Sequence, residues 1–213
     1  MALSTTSKNI LYLTHTYNRF QKDQIDLLAK LFKSVYVLVR YKPYSEISSL
    51  FPVEGLKEHR RKRVIKLTNT PKNVTVLLAN VWYLPGNRSY KRVGPKHLRA
   101  VEKIISNLDI HFDLTHAHFV WSSGYVGKQL KRKYRVPLVV SAHGYDIYDL
   151  PYRDIEWRSN IRKSLDAADH IITVNETYEY CMREIGVKSP ISVIDNGFNN
   201  NLFRKKNQHL ARQ

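Results

Sequence analysis

Short apolar runs recur along the chain, and each is followed within a few residues by polar or turn-forming residues. The runs are Asn9–Thr14, Val35–Val39, Val74–Leu78, Leu114–His118, Pro137–Ala142, His170–Val174 and Ile191–Ile194. Apolar runs of this length are typical of strands that are covered on both faces, as in a parallel sheet with helices on either side. The pattern therefore predicts about seven strands in one sheet.

Amphipathic segments separate the predicted strands. In the first of them, Lys22–Phe32, the apolar residues Ile25 and Leu28 lie on the same helical face as Phe32. The other predicted helices are Lys91–Leu108, Trp121–Tyr134, Tyr148–Ala168 and Glu176–Ile185, whereas residues 41–72 are expected to be irregular. This alternation indicates a Rossmann-like doubly wound α/β domain, with a mostly parallel sheet and helices on both faces.

Polar residues follow five of the predicted strands. They are His15 and Asn18 after the first strand, His118 at the end of the fourth, His143 and Asp146 after the fifth, Asn175 and Glu176 after the sixth, and Asn196 and Gly197 after the seventh. Because the carboxyl ends of parallel strands meet at one edge of a sheet, where ligands bind, we expect these residues to share a cleft. The alternative is that they are helix caps and turns. A helix that starts near residues 122–124 would in addition offer free backbone amides to an anion.

Length and composition fit a globular protein with a substantial core, since 43% of the 213 residues are hydrophobic. No run approaches the ~18 apolar residues of a membrane span, and the first eight residues lack the apolar region of a signal peptide. The single cysteine, Cys181, cannot form an internal disulfide, which fits a reducing compartment. We therefore expect a cytoplasmic location. The absence of Gly-x-Gly-x-x-Gly after the first strand disfavours a dehydrogenase.

The formal charge is +17, and the excess lies in the first half of the chain, where residues 1–110 hold 20 Lys and Arg against 7 Asp and Glu. Its densest part follows the apolar residues Leu50–Val53 and is called the basic segment below; it consists of Lys57, Arg60, Arg61, Lys62, Arg63 and Lys66. One interpretation is a solvated or ion-paired loop, and a second is peripheral contact with an anionic membrane face. Nucleic-acid binding is disfavoured, because no recognisable motif accompanies the charge.

Four motifs resemble, in order and spacing, the amino-terminal domain of family 4 (group 1) glycosyltransferases. They are Asp113–His118, Pro137–Asp146, Ala168–Val174 and Val193–Gly197. The resemblance implies one half of a GT-B architecture, in which this domain holds mainly the acceptor and a second Rossmann-like domain holds mainly the sugar nucleotide. It also implies a retaining, metal-independent transfer that needs no cofactor beyond the nucleotide-diphosphate sugar as donor substrate.

The resemblance also assigns roles to single residues. It places His118 near the transferred sugar as the catalytic candidate, and it places His143, Gly144 and Asp146 on the acceptor side. His15, Asn18, Arg19 and Asn175 are further acceptor-binding candidates, whereas Lys22, Glu176, Asn196 and Gly197 are assigned to the donor side or the interdomain hinge. Two departures from the family pattern are visible. The first loop lacks the usual glycine pair, so that Arg19 or Lys22 would have to supply charge there, and asparagine stands at 175 in place of the usual serine.

Residues 1–200 are thus expected to form an acceptor-side domain, and residues 201–213 to begin a donor-binding domain that the chain lacks. We expect the complete protein to transfer a hexose to an acceptor, with lipid-linked molecules among the candidates, and this chain alone to be inactive. Two alternatives stay open. One is a nucleotide-sugar epimerase of the same architecture, and the other is a non-enzymatic basic module that binds membranes or nucleic acid.

Overall fold

The computed structural model describes residues 6–49 and 57–197, which contain one seven-stranded sheet. The strands are β1 Asn9–Thr14, β2 Ser34–Tyr41, β3 Val74–Asn80, β4 Leu114–His118, β5 Leu138–Ala142, β6 His170–Thr173 and β7 Ile191–Val193. They pair in the order β3-β2-β1-β4-β5-β6-β7, and every pairing is parallel. The predicted Rossmann-like fold and the number of strands are confirmed.

Helices connect the strands. They are α1 Arg19–Ala29, a 3-10 helix Pro43–Ser49, α2 Arg61–Val64, α3 Asn87–Lys91, α4 Val93–Asn107, α5 Tyr125–Tyr134, α6 Tyr145–Tyr148, α7 Leu150–Arg153, α8 Ile155–Leu165 and α9 Glu176–Glu184. The stretch from Tyr148 to Ala168, predicted to be largely helical, forms the two helices α7 and α8. They are separate because Asp154 adopts an extended backbone between them, and Pro151 stands in the first turn of α7. The Asp154 side chain accepts a hydrogen bond from the Trp157 N–H at 2.9 Å, which is the usual way a helix begins.

Side chains alternate between the two faces of β1 and build two apolar clusters. Ile10 and Tyr12 pack on the face that α1 covers, together with Ile25. Leu11 and Leu13 belong to the larger cluster on the other face, which α4, α5, α8 and α9 cover. Because both faces are buried, the loops at the carboxyl edge of the sheet are the natural place for a ligand site.

Candidate functional site

A cavity of about 310 Å³ opens at the carboxyl edge of the sheet and is called the central cavity below. It is lined by His15, Tyr90, Phe119, Trp121, His143, Tyr145, Asp146 and Tyr148. Most of these residues follow the neighbouring strands β1, β4 and β5, as expected for an open α/β sheet. The topology therefore brings together three of the predicted residues, His15, His143 and Asp146.

Gly144 shapes the loop that carries two of them. Its φ of 131° lies in a region that side chains rarely adopt, and a Cβ atom here would stand 2.9 Å from the Tyr178 hydroxyl oxygen. The Gly144 carbonyl accepts the N–H groups of Ile147 at 2.6 Å and Tyr148 at 3.0 Å, which starts α6 directly after β5. This tight turn places Asp146 one residue inside the helix, against the cavity.

Asp146 is a buried carboxyl group with one oxygen committed and one free of hydrogen bonds. Its Oδ2 accepts the backbone N–H of Val120, whereas the buried Oδ1 has no hydrogen-bond partner among residues 6–49 and 57–197. Burial raises the pKa of Asp146 to about 6, and the Val120 N–H partly opposes this shift. A carboxyl group that titrates near neutral pH at a cavity wall can accept a hydrogen bond or a proton from a bound hydroxyl group.

The predicted anion site near residues 122–124 is wrong. The side chains of Ser122 and Ser123 are fully buried, and Ser122 Oγ lies 3.0 Å from Arg40 Nη1 and 2.9 Å from His97 Nδ1. The first regular helix starts later than predicted, at Tyr125. This turn therefore belongs to the interior of the domain.

His118 lies deeper than the sequence predicts. Its side chain is 2% exposed and does not line the central cavity, because Phe119 and His143 stand in front of it. Its Nδ1 is 3.1 Å from His143 Nε2, and its buried Nε2 has no hydrogen-bond partner within the described chain. His118 thus touches the cavity through His143, and its catalytic role stays a prediction.

Five histidines cluster behind and beside the cavity, and all of them are uncharged at neutral pH. Burial lowers the pKa of His97 and His116 to about 3 and that of His143 to about 4, and it holds the pKa of His15 and His118 well below 6.5. A neutral imidazole donates one hydrogen bond and accepts another, so these rings can orient hydroxyl groups without adding charge. His116 already has a hydrogen-bond partner, since its Nε2 lies 2.8 Å from Ser141 Oγ.

The residues predicted in the first loop lie elsewhere. The Asn18 side chain donates to the Arg63 carbonyl, and Arg19 is exposed at the start of α1. Lys22 is paired with Asp26 and stands 5.2 Å from the centre of the Tyr17 ring. Lys22 is therefore committed inside the domain, which contradicts its proposed use as free positive charge for the donor.

The residues predicted after β6 and β7 do not line the cavity either. Asn175 is the N-cap of α9, and its Oδ1 accepts the Tyr178 N–H at 2.9 Å. For this residue the structure therefore agrees with the alternative that it is a helix cap. Glu176 is exposed in the first turn of α9, and Asn196 and Gly197 are exposed beyond β7. The predicted start of a second domain at 201–213 lies outside the described residues.

The basic segment packs at the same sheet edge as the cavity. The Tyr17 N–H donates to the Val64 carbonyl at 2.7 Å, and the Lys66 N–H donates to the Tyr17 carbonyl at 2.9 Å, which fixes α2 beside the loop after β1. The side chains of Arg61 and its two neighbours in α2 are exposed. The apolar Leu50–Val53 lies outside the described residues. Within residues 6–49 and 57–197, no helix has the length and apolar character needed to cross a membrane.

A larger hollow of about 470 Å³ lies between the carboxyl ends of α4 and α5, before β4 and β5 begin. It is therefore at the opposite edge of the sheet. Its polar side chains include those of Asp109 and His111, which are 90% and 81% exposed. Because these groups are fully solvated, nothing in this hollow resembles the buried polar groups of the central cavity. In the described part of the chain, no group of three or more His, Cys, Asp or Glu is arranged to hold a metal ion.

Comparison with known proteins agrees with this geometry. Residues 55–202 match the sequence profile of Glycosyltransferase Family 4, which is more than half of the chain. The chain belongs to glycosyltransferase family 4. The predicted resemblance to its amino-terminal GT-B domain is thereby confirmed.

Individual proteins similar to this family 4 chain include TuaC of Bacillus subtilis (strain 168), whose name assigns it to glycosyl transfer in teichuronic acid biosynthesis. The two are 24% identical over 175 residues, which are 78% of this chain and 44% of TuaC. The chain thus spans less than half the length of this relative.

Solved structures share the fold. Sucrose-phosphate synthase of Thermosynechococcus elongatus matches with a TM-score of 0.62 at 16% identity, over 96% of this chain and 52% of that chain. UDP-GlcNAc 2-epimerase of Neisseria meningitidis matches with a TM-score of 0.53 at 11% identity, over 88% of this chain and 47% of that chain. Both transferases and epimerases therefore use this fold, so that fold alone does not separate the two activities.

Proposed function

We propose that this family 4 chain is the acceptor-binding domain of a retaining enzyme that moves a hexose from a nucleotide-diphosphate sugar to an acceptor. The central cavity is the observation that carries the proposal. It presents Asp146 and the neutral His143 together with several aromatic rings, and its volume is at the lower end of the range of about 300–1,000 Å³ for small-molecule sites.

These residues have complementary parts in binding an acceptor. The free Oδ1 of Asp146 accepts a hydrogen bond from the acceptor hydroxyl group that attacks the sugar, and His143 fixes the direction of that group. The rings of Tyr90 and Trp121 offer flat surfaces to the apolar face of a sugar ring. In the proposal, hydrogen-bond donors from a second domain stabilise the leaving diphosphate, and the residues of this chain take no part in that step.

The test uses the product of the complete reading frame that contains this chain. Incubated with a panel of nucleotide-diphosphate hexoses and with lipid-linked and free saccharide acceptors, it is expected to add one hexose to an acceptor, as mass spectrometry would show. Residues 1–213 alone are expected to give no product. An epimerised nucleotide sugar formed without any acceptor would instead support the epimerase alternative, which shares the fold.

We further propose that the enzyme works in the cytoplasm at an anionic membrane face, which the basic segment contacts. Each exposed basic side chain near such a surface contributes ~1 kcal/mol, and the attraction is screened beyond about 8 Å at physiological salt. The chain is expected to sediment with vesicles that contain anionic lipid at low salt and to be released by salt.

Replacing Arg61, Lys62 and Arg63 by Gln should lower this binding at least tenfold, since about 1.4 kcal/mol corresponds to a factor of ten. A matched control replaces Arg92, Arg99 and Lys103 by Gln, which are exposed on or beside α4 and remove the same charge. An equal loss in both variants, or binding to neutral vesicles, would contradict the role of the basic segment.

A further inference from the structure

Two basic residues stand beside the central cavity and have no acidic partner in the part of the chain that the structure describes. Arg40 lies near the end of β2, and Lys42 follows the strand directly. Both side chains are half-buried. Within residues 6–49 and 57–197, neither of them forms an ion pair with a carboxylate.

Glu46, the carboxyl group closest to Lys42 in the chain, is engaged elsewhere. It accepts hydrogen bonds from the Tyr41 hydroxyl group and, at 2.8 Å, from the Arg61 N–H. Asp146 accepts the Val120 N–H with its Oδ2. Two partly buried cations without a counter-ion in the described chain repel each other. Burial is the main cause and the charge of Arg40 the second cause that lower the pKa of Lys42 to about 8. A bound anion would relieve this cost.

Aromatic rings hold the two cations in place. The Arg40 guanidinium carbon lies 5.6 Å from the centre of the Tyr90 ring and 5.9 Å from that of Tyr83. The Lys42 ammonium lies 5.0 Å from the centre of the Tyr83 ring. Arg40 is further fixed by its hydrogen bond to Ser122 Oγ. The guanidinium is thus pre-organised, which favours binding of a planar anion through two parallel hydrogen bonds.

The cation pair is continuous with the central cavity. Tyr90 lies under Arg40 and also lines the cavity wall. His15, another lining residue, has its pKa lowered by burial and then by the charges of Arg40 and Lys42. Away from the cavity, the Tyr44 ring is tilted at 43° to that of Trp82, whose side chain is 61% exposed, with 5.9 Å between the ring centres. A saccharide in the cavity would therefore have these two cations close to it.

We propose that Arg40 and Lys42, with the rings of Tyr83 and Tyr90, form a subsite for an acidic sugar residue of the acceptor, whose carboxylate pairs with the two cations. This inference rests on the proposed function, since it names the class of acceptor. A phosphate-bearing sugar offers related chemistry, because a guanidinium binds phosphate as well as carboxylate through two parallel hydrogen bonds, and the test below separates the two.

The test measures binding of short oligosaccharides to residues 1–213 by calorimetry. The three ligands differ only in the terminal residue, which is a uronic acid, the matching neutral hexose or the hexose phosphate. The uronic acid ligand is expected to bind about tenfold tighter than the neutral one, because one well-placed charged hydrogen bond contributes about 1.4 kcal/mol or more. The two acidic ligands carry one acidic residue each, so that general attraction of polyanions does not contribute.

Variants decide which residues give the preference. In the double variant Arg40→Gln with Lys42→Gln, the uronic acid and neutral ligands are expected to bind equally. Lys42→Gln alone, which leaves the Ser122 contact intact, should reduce the preference to about threefold, and circular dichroism would show that it folds. The control Arg99→Gln with Lys103→Gln keeps the preference.

Equal binding of the acidic and neutral ligands by the unaltered chain would overturn the subsite, as would a preference that survives in the double variant. Tighter binding of the hexose phosphate than of the uronic acid would overturn the carboxylate assignment. If the complete protein transfers a hexose and the chain shows no acidic preference, the inference alone fails. If the preference depends on Arg40 and Lys42 but no transfer occurs, the proposed function fails and the subsite stands.

Discussion

Lowering the pH from 7.5 to 5 is expected to destabilise this domain by about 5 kcal/mol, which is comparable to the total stability of a marginally stable domain. Burial lowers the pKa of His97 and His116 to about 3 and that of His143 to about 4. These three rings stay neutral in the folded chain, but each takes up a proton on unfolding once the pH falls below about 6.5. Each therefore contributes stability that is fully present above pH 6.5 and is lost as the pH falls, by about 2 kcal/mol at pH 5. His15 and His118, whose pKa values burial holds well below 6.5, act in the same direction.

Urea denaturation followed by circular dichroism between pH 8 and pH 5 would measure this loss. Asp146 acts in the opposite direction, because its pKa is raised to about 6 and protonation below that pH favours the folded state by about 1 kcal/mol. His116→Gln should remove about 2 kcal/mol of this pH dependence. A free energy of unfolding that stays constant from pH 7.5 to pH 5 would show that these rings are not buried in a neutral state.

Replacing His118 by alanine in the product of the complete reading frame is expected to lower kcat by about 10²-fold, the scale of losing one hydrogen bond made in the transition state. We expect His118 to act through His143, because their ring nitrogens are 3.1 Å apart and, of the two, His143 lines the cavity. His118 would then be a positioning residue, which fixes the ring and tautomer of His143.

A double-mutant cycle distinguishes positioning from direct contact. If His118 acts through His143, the variant that lacks both rings should lose no more activity than His143→Ala alone, since residues that act as a unit are not additive. Losses that multiply to about 10⁴-fold would mean that each ring touches the substrate independently. His118→Asn keeps one polar group toward His143 and should recover part of kcat, and thermal melting of every variant would separate activity from unfolding.

The fold could be predicted because its signal is local. Runs such as Asn9–Thr14 are apolar on both faces, which is possible only for a strand covered on two sides, and parallel order then brings the loops of β1, β4 and β5 to one edge. The largely helical stretch from Tyr148 could also be predicted, and Pro151 and Asp154 are the local signals for its division into α7 and α8.

The depth of the site could not be predicted in the same way. His116 and His118 lie on one face of β4, which the sequence shows. No local pattern indicates that Phe119, whose φ is 75°, lines the cavity while His118 is 2% exposed. Arg40 was overlooked because the second strand was expected to end at Val39, one residue before it, whereas β2 extends to Tyr41. Its importance comes from Tyr83, Tyr90 and Ser122, which are distant in sequence.

The tryptophans of this chain give the site its own optical signal. Trp121 lines the central cavity and meets Trp157 at 88°, with 5.4 Å between the ring centres, and both indole N–H groups donate hydrogen bonds inside the domain. Trp82, the third tryptophan of the sequence, is 61% exposed beside Tyr44. Buried indoles emit at shorter wavelengths than solvated ones, so the two environments contribute to different parts of one fluorescence spectrum. A ligand that fills the cavity would change the short-wavelength part of the emission spectrum, and one that covers Trp82 would change the long-wavelength part.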